Sequence, residues 1–358
     1  MSFETLEISR FLGRPVHLFT FARQSLVWRY ASGGRDVTIG GNTYTGAQIS
    51  RSEIQQSVEG EKNKLTITLP YLRDPAAAEY PATQPLGNNW HPYIPSDPIS
   101  ITCRAMHYGD ASTPAVEWSG VVTQTSFSDT ELTLTCEQRS GRAQARNQGA
   151  KVQRACWKTV YSTGLRGCNL QAGPIALAGT VTAITGSQVT ASAYANPPRS
   201  LVGGTATWTT AGPVNHTANI TAHTGSTITL DDVTGITTSM VVTANTVPLW
   251  INATLSAASG VTATAAAFGA ATLQLPGGWL EWTRLDGLVE RRSIIGQSGN
   301  DLTLLYGAAD LAAGLAVRAI PGCPQTWDGC DSRSNTINFG GAIYKRGRDP
   351  KKESMSWG

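Results

Sequence analysis

The chain has 358 residues, which at roughly 150 residues per domain suggests two or three domains. Only 15% of residues are charged, while 37 are glycine and 18 proline, a composition that excludes a coiled coil or a helical bundle. The 28 Lys and Arg against 25 Asp and Glu leave a net charge of +3, too little for the electrostatic footprint of a nucleic-acid binder or a polybasic membrane anchor.

Residues 1–10 (MSFETLEISR) mix acids with single apolar residues and lack the continuous apolar core of a signal peptide, so the chain is expected to be soluble and made in the cytoplasm. Apolar and polar residues then alternate over 15–21 (PVHLFTF), 25–30 (SLVWRY), 64–69 (KLTITL) and 99–106 (ISITCRAM). A period of two with β-branched and aromatic residues predicts strands. Turn signals at Ser32-Gly33-Gly34 and Gly40-Gly41-Asn42 separate the first of them, and the Pro-rich loop over 74–98 cannot be regular helix. An antiparallel β domain over residues 1–140 follows. Near its end, 131–136 (ELTLTC) puts Leu132, Leu134 and Cys136 on one face, just as Ile99, Ile101 and Cys103 share a face of the earlier strand. Both cysteines read as small buried apolar residues, with a disulfide between them as the alternative. Residues 138–158, rich in Gln, Arg and Ala, are the best candidate for a short helix.

Residues 172–276 hold only three charges, Arg199, Asp231 and Asp232, together with 22 of the 43 threonines, which marks a Thr/Ala-rich insertion in a more ordinary chain. The weakly polar stretch 261–275 falls short of the ~18–20 apolar residues of a membrane span. From residue 179 onward a pattern recurs: an apolar run, then Ser-Gly or Thr-Gly, then a Thr-containing apolar run, over 181–191, 220–230, 255–265 and 293–305. The turn glycines Gly186, Gly225, Gly260 and Gly299 are spaced by 39, 35 and 39 residues. Glycine supplies the positive φ of a tight hairpin, so each unit reads as a hairpin with a further strand or two, and the spacing suggests duplication of a small β unit.

Four cysteines bracket the charge-poor segment. Cys156 and Cys168 lie 12 apart just before it, and Cys323 and Cys330 lie 7 apart after the last hairpin. If the intervening β segment loops out, all four thiolates can converge on one centre, as for a tetrahedral zinc or an iron–sulfur cluster. Gly167, Pro321, Gly322, Pro324 and Gly329 beside them suit a backbone that wraps closely. The spacing differs from the Cys-x2-Cys knuckles of common zinc sites, and disulfides or unconnected thiols remain the other readings.

On the Cys156 and Cys168 pair, the stretch 277–317 (GGWLEW…RRSIIG…LTLLYGAADLAAGLAV) and residues 321–344 (PGCPQTWDGCDSR…NFGGAIY), the chain resembles the tail-tip or baseplate hub proteins of long-tailed bacteriophages. That group includes the phage BR0599 family, the hub protein of gene transfer agents and, more distantly, the lambda tail tip protein L. The resemblance covers most of the chain, with residues 202–275 as extra material. It implies a structural virion protein, assembled in the host bacterial cytoplasm. It further implies a homo-oligomer, a trimeric ring around the tail axis, between the distal tail protein and the central hub or receptor-facing fibre, with a tape-measure protein as a further neighbour. It also implies a [4Fe–4S] cluster on Cys156, Cys168, Cys323 and Cys330, ahead of Asn338-Phe339-Gly340, with zinc as the less favoured occupant. Such a cluster would act as a staple, replacing core that a Gly-rich region lacks. Neither sequence-specific nucleic-acid binding nor stable membrane insertion is expected.

No catalytic residue stands out. His17, His91, His107, His216 and His223 are scattered, and no His-Glu-x-x-His, Gly-x-Ser-x-Gly or Walker-type loop occurs. Asp231 and Asp232 are adjacent and read as a turn. Trp208, Trp250, Trp279 and Trp282 raise a carbohydrate-binding reading, and a tail-associated peptidoglycan hydrolase is the third class. The expected architecture is mainly β: multi-domain antiparallel sheets and barrels with one short helical segment and a four-cysteine metal-cluster region. Its parts are an N-terminal β domain over 1–140, a cluster-bearing β domain over 141–201 plus 276–344, a Thr/Ala-rich β insertion over 202–275, and a basic tail over 345–358.

Overall fold

In a computed structural model the described residues are 14–54, 64–109, 113–138 and 152–344. The basic tail lies outside them, as do residues 139–151 of the expected helix; residues 152–158 are irregular. The protein is mainly β, 44% strand and 6% helix, and its sheets curl into half-barrels. None of the three strand orders returns to its first strand, so they are open half-barrels where barrels were expected. The chain divides into two compact units, one formed by residues 1–148 with 283–290 and 308–310, the other by 149–282 with 291–307 and 311–358.

The first unit carries a nine-stranded sheet of β1 (Pro15–Arg23), β2 (Leu26–Ser32), β3 (Val37–Ile39), β4 (Asn42–Ala47), β5 (Ser50–Arg51), β6 (Lys64–Pro70), β7 (Ser100–His107), β8 (Ala115–Phe127) and β9 (Glu131–Glu137). Its order is β3-β4-β2-β1-β7-β8-β9-β6-β5, with β2–β4 parallel and the other pairs antiparallel. The alternating runs of the sequence became strands because their apolar face is buried. Strand β1 is buried on both sides: Phe19 and Phe21 join a core with Leu65, Ile67, Leu69, Ile101, Leu132 and Leu134, while Val16 and Leu18 pack with Val37, Tyr44 and Met106 on the other face. Cys103 and Cys136 are free and lie in the first of these cores. The Pro-rich loop contains a one-turn helix, Gln84–Gly87, which tolerates Pro85 because a first-turn residue has no N–H bond to lose.

The second unit contains two seven-stranded sheets. The first comprises β10 (Ala176–Thr180), β11 (Ala183–Thr185), β12 (Gln188–Thr190), β13 (Thr205–Thr210), β14 (Val214–Thr224), β15 (Thr227–Leu230) and β16 (Val241–Asn245). The second comprises β17 (Ile251–Thr254), β18 (Ala257–Ser259), β19 (Thr262–Thr264), β20 (Trp279–Thr283), β21 (Val289–Ser298), β22 (Asp301–Leu304) and β23 (Ala316–Ile320). The orders are β10-β16-β13-β14-β15-β12-β11 and β17-β23-β20-β21-β22-β19-β18. Numbered within each sheet, these are the same permutation.

The two sheets are copies offset by 74 residues up to β15 and β22, and by 75 thereafter. Buried Val181, Val189, Leu201, Trp208, Ile220 and Leu230 correspond to Leu255, Ala263, Leu275, Trp282, Ile294 and Leu304. The hairpin glycines Gly186 and Gly225 have φ of 58° and 57°, and their counterparts Gly260 and Gly299 have 56° and 57°. The long strands bulge at the same place, between Ile220 and Ala222 and between Ile294 and Gly296, where each passes from one neighbour to the next and the sheet bends. Even side-chain bonds recur. His223 Nε2 reaches the carbonyls of Tyr194 and Gly225, both at 2.8 Å, and Gln297 Nε2 reaches those of Phe268 and Gly299 at 2.7 and 3.3 Å. The four hairpins seen in the sequence are therefore two per copy of a two-fold repeat. The expected Thr/Ala-rich insertion over 202–275 begins inside one copy and ends inside the next.

Candidate metal centre

The cysteine segments lie immediately outside the duplicated sheets, since β10 begins at residue 176 and β23 ends at 320. Cys156 and Cys168 sit in irregular chain over 152–175, Cys323 in the loop after β23, and Cys330 in a one-turn helix, Trp327–Asp331. That helix starts where it does because the Thr326 hydroxyl accepts the Gly329 N–H at 3.1 Å, a capping bond. Cys156, Cys168 and Cys330 are buried and Cys323 is half-buried; all four are free thiols.

Hydrogen bonds tie the two segments to each other at the cysteines. The Cys156 N–H donates to the Gln325 carbonyl at 2.7 Å, the Asn335 amide donates to the Cys168 carbonyl at 2.9 Å, and the Tyr161 hydroxyl donates to the Pro321 carbonyl at 2.8 Å. The Ala342 N–H reaches the Gln153 carbonyl at 2.8 Å. Edge-on ring contacts of Tyr161 with Trp279 and of Trp327 with Phe339 pack around them.

N–H groups point at three of the four sulfurs: Gly340 N–H at Cys156 Sγ (3.3 Å), Gln325 N–H at Cys323 Sγ (3.4 Å) and the Asn335 amide at Cys168 Sγ (3.5 Å). A Cβ at Gly340 would crowd this contact, sitting 3.3 Å from Cys156 Sγ and 2.9 Å from the Lys158 side chain. The Cys330 thiol itself donates to the Asn335 carbonyl at 3.3 Å. Non-glycine residues with positive φ gather in the same segments: Tyr161, Asn169, Gln325 and Ser334, at 62°, 53°, 58° and 52°. Such strain persists only where surrounding bonds over-determine the backbone, as they do here.

The Cys330 pKa is pushed up to about 11, first by burial and then by Cys168, Cys323 and Cys156, with Arg333 pulling it down. The four thiols thus share one electrostatic neighbourhood. They are not drawn in to the spacing of a single ion, since among the described residues no three metal-ligating side chains are grouped that closely. Repulsion and burial keep the metal-free thiol protonated, and a metal would have to displace that proton. The donor set fits a four-cysteine centre: sulfurs from two segments, N–H donors aimed at three of them, and a buried cation nearby.

The residues set aside in the sequence play structural parts. His216 stacks on Trp208 (5.4 Å, 6°) and its Nε2 lies 3.1 Å from the Thr210 hydroxyl. Asp231 accepts from the Asn219 N–H and side-chain amide, Asp232 from the Thr234 N–H and hydroxyl, and these bonds lower both pKa values. Trp208 and Trp282 are buried, and Trp250 lies under the Arg318 guanidinium. Sequence reasoning passed over Arg333, Asn335 and Tyr161; of these, Arg333 and Asn335 stand in the Asp-Ser-Arg-Ser-Asn run straight after Cys330, a run whose polar residues gave no hint of burial.

Residues 275–349, which include β20 to β23 and the second cysteine pair, match the model of a family described as phage conserved hypothetical protein BR0599. An uncharacterized protein of Xylella fastidiosa (strain 9a5c) is 37% identical over 480 aligned positions that cover all of both chains. In fold the chain is similar to a protein from the virion of a native gene transfer agent particle, with a TM-score of 0.51 and 13% identity, covering 100% of this chain and 96% of that one. By identity along its whole length the chain belongs to the same family as the Xylella protein, and the segment that carries its second cysteine pair is similar to the phage BR0599 family.

Proposed function

We propose that the protein is a structural, non-catalytic subunit of a phage or gene-transfer-agent-like virion, located at the tail tip or baseplate hub. The observation that carries this reading is the match in fold, end to end, to a gene transfer agent virion protein in a chain whose C-terminal segment matches the model of a phage family. In the particle it would form a ring of three copies around the tail axis, with the distal tail protein on one side and the central hub or fibre on the other, and would act in tail assembly and genome delivery. The role is tested by deleting the gene and supplying it in trans: tails that stop short of a complete tip without it, and particles that contain it when restored, are the expected results. Complete infectious particles that lack the protein would overturn the reading.

Cys156, Cys168, Cys323 and Cys330 would hold a [4Fe–4S] cluster. What supports it is that Cys330 feels Cys168, Cys323 and Cys156 and that N–H donors point at three of the four sulfurs. When bound, the cluster supplies four covalent iron–sulfur links between the segments that flank the duplicated sheets. The chain's own residues do the rest: Asn335 and Gly340 orient Cys168 and Cys156 by N–H···S bonds, Gln325 does so for Cys323, and the helix cap at Thr326 sets the direction of Cys330.

A further inference from the structure

Two guanidinium groups near Tyr161, one of them also beside Cys330, have no acidic partner among the described residues. Arg333 is 4% exposed. It donates to the carbonyls of Gly329 (2.8 Å) and Gly322 (2.5 Å) and to the Ser332 hydroxyl (3.2 Å), and its Nε–H meets nothing. Those carbonyls belong to the residues just before Cys330 and Cys323. Arg199, the lone basic residue in the span 172–276, donates to the Gly173 carbonyl at 2.5 Å and leaves Nε and one terminal nitrogen unpartnered and buried. Both guanidiniums act on the Tyr161 phenol, which also feels Cys323 and Cys168.

A buried cation held only by neutral carbonyls is costly unless a negative charge lies close by. Cys330 is a group beside Arg333 that can supply one, and Cys323 and Cys168 reach the same Tyr161 phenol as the two guanidiniums. Four thiolates around a dipositive ion, or around a dipositive four-iron core, leave a double negative charge, which two guanidiniums balance. We propose that Arg333, seconded by Arg199, is the built-in counter-charge of a doubly negative four-thiolate centre on Cys156, Cys168, Cys323 and Cys330. Arg333 acts as a positioning residue: its fork fixes the backbone ahead of two ligands, and its charge stabilises the ligands as thiolates. The inference rests on the four-cysteine centre proposed above.

The test compares wild type with Arg333→Gln, Arg333→Lys and Arg199→Gln, each purified whole and without oxygen. Iron, sulfide and zinc are quantified, the rate of metal loss to a chelator is followed, and for an iron centre the reduction potential is measured at matched iron content. Reduction adds negative charge, so removing a cation makes the potential more negative. Arg333→Gln is expected to show that shift and to lose metal about 10-fold faster, Arg333→Lys to restore most of the potential, and Arg199→Gln to move both readouts in the same direction by less. A structural tie alone would not shift the potential of protein that is fully loaded. If Arg333→Gln fails to fold, Arg199→Gln and Arg333→Lys decide. Wild-type behaviour of the Gln variants in both readouts overturns the counter-charge while leaving the centre standing. Wild-type protein that holds neither iron nor zinc overturns both.

Discussion

Two populations of cysteine in one chain differ by what surrounds them. Cys103 and Cys136 face the apolar core of the nine-stranded sheet, and burial pushes the Cys103 pKa up to about 12 and that of Cys136 higher still, with Cys103 as a second, smaller cause. Neither should react with iodoacetamide at about pH 8 in the folded protein, whereas unfolding in urea should expose both; labelling of either in the native state would contradict the assignment. A raised folded pKa contributes stability that is complete below the unfolded value near 9 and is lost as pH climbs toward 12. Replacing Cys103 with Ala should therefore flatten the alkaline fall in stability of the first unit, measured by urea titration as a function of pH. The same unit contains Arg23 bonded to Glu290, at 0% and 2% side-chain exposure, with Asn89, Arg284 and the Ser96 N–H completing the group. Arg23→Met leaves the carboxylate buried and short of its main partner, and should cost about 3–5 kcal/mol; a loss below about 1 kcal/mol would show that Glu290 is solvated after all. The core cysteines were legible from strand alternation alone, because Ile99, Ile101 and Cys103 mark one face whatever lies opposite. Arg23 was not, since its acid is 267 residues away and no local pattern links them.

Among the elements, the duplication is the feature that sequence spacing half disclosed. The four turn glycines were visible because a hairpin with φ near +57° needs glycine, and both hairpins of a copy have that need. What spacing could not give was the pairing of β10 with β16 and of β17 with β23, which joins the first and last strands of each copy and makes the repeat 74 residues long rather than half that. Equivalent residues should be exchangeable where they do equivalent work. His223 and Gln297 both bridge the carbonyl of the aromatic residue in the turn before β13 or β20 to that of the hairpin glycine. His223→Gln should leave stability within about 0.5 kcal/mol of wild type, while His223→Ala should cost about 1 kcal/mol, read from denaturant midpoints. Equal losses in the two variants would show that the shared bonds are incidental to the fold.

Over the whole molecule, the low charge of the chain proved to be a property of one span, and that span is not a structural division. Residues 202–275 straddle two sheets because threonine and alanine serve the exposed and buried faces of both copies, so charge marks surface chemistry where strand pairing marks the fold. The cysteine pairs are the better landmark: they stand immediately before β10 and after β23, and the hydrogen bonds among Cys156, Gln325, Cys168 and Asn335 bring the ends of the duplicated region together. That the two flanking segments meet was legible from the bracketing alone; what the cysteines hold was not, because it depends on the separation of sulfurs that arrive from two distant segments. The most direct test of an iron–sulfur-stapled virion subunit is the iron, sulfide and zinc content of the protein purified without oxygen, with its visible spectrum, beside a Cys330→Ser variant. About four irons and four sulfides per chain, with the colour lost in the variant, are expected; colourless wild-type protein that holds zinc, or no metal at all, would contradict it.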